Sequence, residues 1–340
     1  MSAQAKSLYF TGPEAIEIKP EMLPRPGPGQ VLVKTEISAI SAGTEMLIYR
    51  DEFPVDLALD EGIAALAGEF RYPLKYGYAA VGRVVEANAD VAQEWLERRV
   101  FAFQPHSSHF IIDASSLMAV PDDIPSESAV FLPNMETAVN FLMDGSPIIG
   151  ERVVLFGQGV VGLLTTALLA SFPHGGLVAL DQYPMRRRAS LDAGADICLD
   201  PSEPGCLENL TRLTGGGADL VFELSGSPAA LDMAIQAAGF ASRIIIGSWY
   251  GQKRASLDLG GRFHRQRIRL ISSQVTTIAP DLSGRWSKRR RFDLCWEQLR
   301  KIQPARWITH RFELAKAAEA FQLIARNPAE TLQVVLLYES

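Results

Sequence analysis

Apolar and polar positions alternate with a period of two in the first third of the chain. The runs are short and broken by proline and glycine: Ser7–Phe10, Ala15–Lys19, Gln30–Ile37, then Gly77–Glu86, Arg99–Gln104 and Ser108–Asp113. Such alternation predicts half-buried strands of an antiparallel barrel. Between them Tyr49–Tyr76 is acidic and irregular, with one short helix expected, and is a candidate lid or substrate wall. From Ser126 the period becomes helical, with one helix expected over Ala129–Met143. Apolar strands then alternate with helices, at Ile197–Leu199, Leu220–Leu224, Arg243–Gly247 and Ile268–Ser273, which predicts a parallel, doubly wound sheet. A helix over Phe292–Lys301, a strand at Ile308–Phe312, a helix over Leu314–Ala325 and a strand at Thr331–Tyr338 close the chain. The pattern is that of an α/β protein with a front domain at 1–125, a sheet domain at 126–275 and a return to the front domain at 276–340.

The helical bridge leads into Glu151-Arg-Val-Val-Leu-Phe-Gly157-Gln-Gly159-Val160-Val161-Gly162, and Asp181 follows 19 residues after the last of these glycines. Strand, glycine turn, helix, second strand and acid are the parts of a Rossmann dinucleotide site. Gly157 permits the tight turn, Gly159 lets the backbone approach a pyrophosphate, and Gly162 lets helix and strand pack closely. Val160 and Val161 open the helix, whose N-terminus faces the phosphates. Asp181 is placed to accept hydrogen bonds from the adenosine ribose, which favours NAD, while Arg186, Arg187 and Arg188 leave NADP open. Ser225, Gly226 and Gly247 fall at carboxyl ends of parallel strands, where ligands of such sheets bind.

Composition narrows the class. A chain of 340 residues with 47% hydrophobic and 21% charged positions supports two folded domains, and a net charge of -6 argues against a nucleic-acid binder. No apolar run is long enough to span a bilayer, and the amino terminus has no secretory pattern, so no membrane partner and a cytoplasmic location are expected. The three cysteines, Cys198, Cys206 and Cys295, make neither a disulfide framework nor a metal-ligand spacing.

The order of parts, with Gln30-Val-Leu-Val-Lys34, Gly43-Thr44-Glu45, Gly77–Val84, Arg99-Val-Phe-Ala102 and Leu332-Gln-Val-Val-Leu336, resembles the medium-chain dehydrogenase/reductase superfamily over essentially the whole chain. The resemblance implies a GroES-like antiparallel β-barrel catalytic domain plus a Rossmann domain, hydride transfer at a nicotinamide, a cleft between domains, a small-molecule substrate and a homodimer. Zinc enzymes of the superfamily carry a cysteine where this chain has Ala42, an aspartate where it has Glu45, and a glycine-histidine-glutamate where it reads Gly77-Tyr78-Ala79; Pro133–Glu136, near a third ligand position, lacks cysteine. No zinc site is therefore expected. Ser41–Glu45, Gly77–Gly82 and Phe101–His106 are similar to a zinc-less subgroup that includes bacteriochlorophyllide 3-hydroxyethyl dehydrogenases.

Without a metal, a hydroxyl must manage the proton of the reacting oxygen. Thr44 stands at the superfamily's proton-relay position, with capping of a turn as the alternative, and Tyr78 stands in the place of the zinc-binding histidine, with packing as the alternative. Glu45 and Glu136 are candidates to hold ribose or substrate hydroxyls or to pair with an arginine. His106 and His109 read as a surface-loop residue and a barrel residue rather than a metal pair, with His106 kept as a substrate contact. Lys288–Arg291, and Arg290 in particular, read as a solvated face or as the receiver of an anionic substrate; Tyr49, Phe53, Phe70, Tyr72 and Trp249 read as core or as the wall of an apolar pocket. The leading expectation is a zinc-independent NAD(P)(H) oxidoreductase acting on a secondary alcohol or ketone. An enone or quinone reductase and a non-enzymatic nucleotide-binding sensor are the alternatives.

Overall fold

The computed structural model describes residues 3–54, 56–60 and 62–339. Contacts divide the chain into two units, the first running to Pro133 and resuming at Gln303, the second comprising Asn134–Ile302.

In the first unit β1 (Ala3–Gly12) and β2 (Ala15–Leu23) form an antiparallel hairpin. β3 (Gln30–Ile40) leads through α1 (Glu45–Tyr49) to β4 (Ala80–Ala87), β5 (Arg99–Ala102), β6 (His109–Asp113), β7 (Met118–Ala119) and α2 (Ser126–Ala129). Alternation along β3 and β4 puts Val31, Val33, Ala80 and Val84 into one core with Val100, Ala102 and Phe110. The described residues of 50–76 are irregular apart from one 3₁₀ turn at Ala64–Leu66 and the antiparallel bridges of Ala58 to Glu69 and of Leu74 to Phe10.

α3 (Leu132–Gly145) begins the second unit's framework. The single helix expected over Ala129–Met143 is two, broken at Val130 and Phe131, because Pro133 has no amide hydrogen and suits only the first turn of a helix. Then come β8 (Arg152–Phe156), α4 (Val160–Ala170), β9 (Gly176–Leu180), α5 (Pro184–Asp192), β10 (Ile197–Leu199), α6 (Cys206–Leu213), β11 (Ala218–Glu223), α7 (Pro228–Ala237), β12 (Ala238–Ile246), β13 (Arg269–Ser272), α8 (Pro280–Ser283) and α9 (Lys288–Ile302). The six strands are parallel in the order β10-β9-β8-β11-β12-β13. Val154 and Phe156 of β8 enter the core on one face of this sheet, Val153 and Leu155 the core on the other. A strand buried on both faces reads as a continuous apolar run, as β8 does.

Residues 303–339 return to the first unit. β14 (Ile308–Glu313), α10 (Ala317–Arg326) and β15 (Gln333–Leu337) complete a sheet ordered β14-β15-β3-β4-β5-β7, with β6 also paired to β3. Residues 276–302, expected with this return, belong instead to the sheet unit, where α9 packs. Phe321 of α10 meets Phe10 edge-on at 5.3 Å between ring centres. Antiparallel pairing of β15 with β3 sets Leu336 opposite Ser38, which brings Tyr338 beside that serine.

Candidate active site

The sheet unit carries a glycine turn built by steric necessity. Gly157 leaves β8 at φ +91°, and a Cβ there would lie 2.6 Å from the Ser225 backbone beyond β11. In α4, a Cβ on Gly162 would lie 2.1 Å from the Gly157 carbonyl oxygen. Gly159, the N-cap of α4, has no heavy atom within 4 Å of its Cβ position. Two glycines thus pack the turn shut, and the middle one leaves room in front of a helix N-terminus that opens with the half-buried Val160 and Val161.

Asp181, at the end of β9, is 7% exposed, and its two oxygens accept the backbone N–H of Gln158 at 2.8 Å and of Tyr183 at 2.9 Å. An ionised carboxylate keeps further acceptor capacity after two such bonds. The three arginines behind it divide. Arg187 donates to the Asp181 and Gln182 carbonyls and to Asp200 at 2.8 Å, Arg186 lies 4.0 Å from the Asp181 carboxylate and 4.9 Å from the Tyr183 ring, and Arg188 is exposed. Further along, Ser225 donates its amide and hydroxyl to the buried Glu223 carboxylate, Tyr250 donates to the other oxygen, and Gly226 at φ +69° donates its N–H to Ser248 Oγ at 2.8 Å. Burial and the Glu223 carboxylate push the Tyr250 phenol well above its ordinary range, keeping it a donor. Gly247 has a packing reason, since a Cβ would sit 2.2 Å from the Phe141 ring. Turn, open middle glycine, helix end and anchored acid fit a dinucleotide.

The barrel unit holds a second polar arrangement. Tyr78 donates to Ser41 Oγ at 2.5 Å and stands 3.4 Å from Thr44 Oγ1. The Thr44 side chain makes no cap bond to α1, so its hydroxyl faces Tyr78 rather than the backbone. Burial pushes the Tyr78 phenol above its ordinary value, the Ser41 and Thr44 bonds opposing. Glu45 secures the turn beneath, one carboxylate oxygen accepting the Ser41 N–H at 2.7 Å and the other meeting His106 Nε2 at 2.8 Å. His106 Nδ1 lies 2.6 Å from Ser38 Oγ, which lies 2.8 Å from the Tyr338 hydroxyl. Glu45, His106 and Ser38 are all fully buried. Gly77 is dictated by the same group, for a Cβ there would be 2.8 Å from the His106 ring.

Several expectations are corrected. His106 is not a surface-loop residue but the centre of this chain, and Glu45 pairs with it rather than with an arginine. Glu136 does pair with an arginine, the buried Arg291, at 2.6 Å; burial pushes its carboxyl upward and Arg291 opposes the shift. Arg290 is exposed, 4.0 Å over the Trp286 ring, and donates to the Arg285 carbonyl. Tyr49 and Phe53 are core residues, whereas Trp249 is exposed. Ser38, Ser41 and Tyr338 carried no spacing signal; the nearest hint was the hydroxyl-rich run around Thr44.

Zinc does not fit the donors. Ala42, at the cysteine position, is exposed and has no ligating atom; Glu45 and His106 are bonded to each other; and no group of three or more His, Cys, Asp or Glu residues suited to a metal occurs among the described residues. Cys198, Cys206 and Cys295 are free thiols of the sheet unit, and burial pushes Cys198 up to about 11.

Comparisons with known proteins find dehydrogenases. Residues 160–288 match the family model described as zinc-binding dehydrogenase. D-guloside 3-dehydrogenase of Escherichia coli K12 is 26% identical over 66% of this chain, the match spanning 65% of that relative's length. L-threonine 3-dehydrogenase of Pyrococcus furiosus is 26% identical over 76% of this chain and 79% of its own. A protein described as a short chain alcohol dehydrogenase, from E. coli CFT073 and solved with NADH, superposes with a TM-score of 0.80 at 19% identity, covering 99% of this chain and 100% of that one. The chain is thus similar to dehydrogenases, in sequence over residues 160–288 and in fold over almost its whole length. Its fold is the α/β fold of those enzymes, and no described helix is long and apolar enough to cross a membrane.

Proposed function

We propose that the chain is a zinc-independent NAD(P)(H)-dependent oxidoreductase of secondary alcohols or ketones, polyols included, in which hydroxyl groups do the work zinc does in its relatives. The observation that carries this reading is the hydrogen-bonded Tyr78–Ser41–Thr44 cluster, in which Tyr78 stands, by resemblance, in the place of a zinc-binding histidine. Gly157, Gly159, Gly162 and the first turn of α4 would receive the pyrophosphate, and Asp181 the adenosine ribose; the coenzyme, when bound, supplies or accepts the hydride. Tyr78, held neutral by burial, donates to Ser41 and leaves the Ser41 hydroxyl proton free to go to a substrate oxygen. In ketone reduction the oxygen takes the Ser41 proton, Ser41 takes one from Tyr78, and the phenolate regains a proton from solvent water, with Thr44 as the second partner of the phenol; alcohol oxidation runs the same transfers backwards. Glu45 holds the Ser41 backbone, and His106, Ser38 and Tyr338 hold Glu45. The reading extends to a cytoplasmic homodimer of the zinc-less subgroup, with catalytic barrel and coenzyme sheet as separate domains; the named relatives, which act on a guloside and on threonine, support an alcohol or polyol as the substrate class. Coenzyme-linked turnover of a panel of ketones and secondary alcohols tests it. Turnover confined to enones or quinones would replace it with double-bond reduction, and tight coenzyme binding without any turnover would replace it with a sensor.

A further inference from the structure

Arg291 has the largest side chain among the fully buried ones, and its partners are unusual in where they lie. A guanidinium withdrawn from water must have its donors met. Nε and Nη2 reach Glu136 at 3.1 and 2.6 Å and Nη1 reaches Asn140 Oδ1 at 2.6 Å, all on α3. The remaining donors leave the helices altogether. Nη1 binds the carbonyl of Thr277 at 3.1 Å and Nη2 that of Val275. Asn140 also donates to Ser273 Oγ at 3.0 Å, and that hydroxyl donates to Asp144 at 2.5 Å. One network therefore grips residues 273–277 at three points, two backbone carbonyls and the Ser273 hydroxyl.

That stretch leaves the carboxyl end of β13. In a sheet of this order a dinucleotide lies across the carboxyl ends of the strands, one mononucleotide to each half. Asp181 on β9 marks the adenosine half, which assigns the other half, β11 to β13, to the nicotinamide mononucleotide. We propose that Arg291 is a positioning residue that, with Glu136 and Asn140, holds 273–277 as a wall of the nicotinamide subsite and so sets affinity for that end of the coenzyme alone. The proposal rests on the dinucleotide reading and not on the proton chemistry of the barrel unit.

The discriminating probe is ADP-ribose, which has the adenosine half and the pyrophosphate but no nicotinamide. Binding of NADH and of ADP-ribose is measured for the wild type, for the double variant Glu136→Leu with Arg291→Met, and for Arg291→Lys; if NADPH binds more tightly, it is paired with 2′-phospho-ADP-ribose. Replacing both members of a buried pair by apolar residues preserves folding better than truncating one. The double variant is expected to bind NADH about tenfold more weakly, the size expected for losing charge-assisted hydrogen bonds to the loop, with ADP-ribose unchanged. Arg291→Lys, which keeps the charge but not the fork, should fall between. Parallel weakening of both ligands would show a merely structural role, and unchanged NADH affinity would show that the loop does not touch the nicotinamide end; either result overturns the proposal. A wild type that binds neither ligand would refute the dinucleotide reading itself.

Discussion

The glycine turn of the sheet unit and the hydroxyl cluster of the barrel unit are built by opposite means. At Gly157 and Gly162 the fold leaves no space for a side chain, and the requirement is met inside six consecutive residues. At Ser41 and Tyr78 the fold supplies side chains to each other across 37 residues, Glu45 meets His106 across 61, and Ser38 meets Tyr338 across 300. A site made of absences is local and sterically enforced. A site made of contacts depends on the whole barrel unit being folded around it. In the proposed reading the glycines serve the coenzyme, a ligand shared among dehydrogenases, and the hydroxyls serve the reaction particular to this chain.

Variants that separate the two sites should do so with effects of decreasing size. The largest is expected at the buried pair. His106→Ala leaves Glu45 uncompensated and should cost about 3–5 kcal/mol in denaturant unfolding, since removing one member of a buried ion or hydrogen-bonded pair exposes the other's desolvation penalty. Tyr78→Phe comes next, and it should lower kcat by about 100-fold, the lower end for loss of a general acid, while coenzyme affinity stays the same. Equal activity with and without the phenol would remove Tyr78 from the chemistry.

The pH dependence of that step has a defined sign. Because burial raises the Tyr78 pKa above 10, the phenol remains a donor throughout the neutral and mildly alkaline range, and kcat should show no falling limb from this group below pH 10. The unfolded chain's tyrosine ionises first, so the linked contribution to stability is complete below pH 10 and is lost as pH climbs toward the folded value. Gly157→Ala should cost about 2 kcal/mol of stability and abolish measurable NADH binding, because the substitution combines a left-handed backbone with a clash against the Ser225 backbone. The smallest effect is expected at Arg186→Ala. Removing the guanidinium beside Asp181 should shift the NADPH to NADH preference about threefold toward NADH, a modest effect in keeping with the long 4.0 Å separation of the pair; a coenzyme ratio that does not move would leave Arg186 without a part in the choice.

The same contrast explains what was readable from sequence. Strand alternation gave the positions of β1 to β6, and the glycine spacing marked the tight turn between β8 and α4, because each signal is periodic or contiguous. Pro133 had a local meaning too, but its break at Val130 and Phe131 falls ahead of the proline and was missed in an otherwise continuous apolar run. His106 was misread as a loop histidine because nothing nearby in sequence shows the carboxylate that buries with it. Arg291 was hidden in a run of four basic residues, of which one side chain turns inward to Glu136 while Arg290 faces solvent. Long-range pairing decides which member of such a run is structural.

The central claim is that hydroxyls stand in for a metal. It is tested most directly by measuring coenzyme-linked ketone reduction by the purified protein, together with its zinc content, before and after chelation and during zinc titration. The account predicts a rate that stays constant while bound zinc is substoichiometric and that falls in Tyr78→Phe. A rate that vanishes on chelation and returns in proportion to one zinc bound per chain would contradict it.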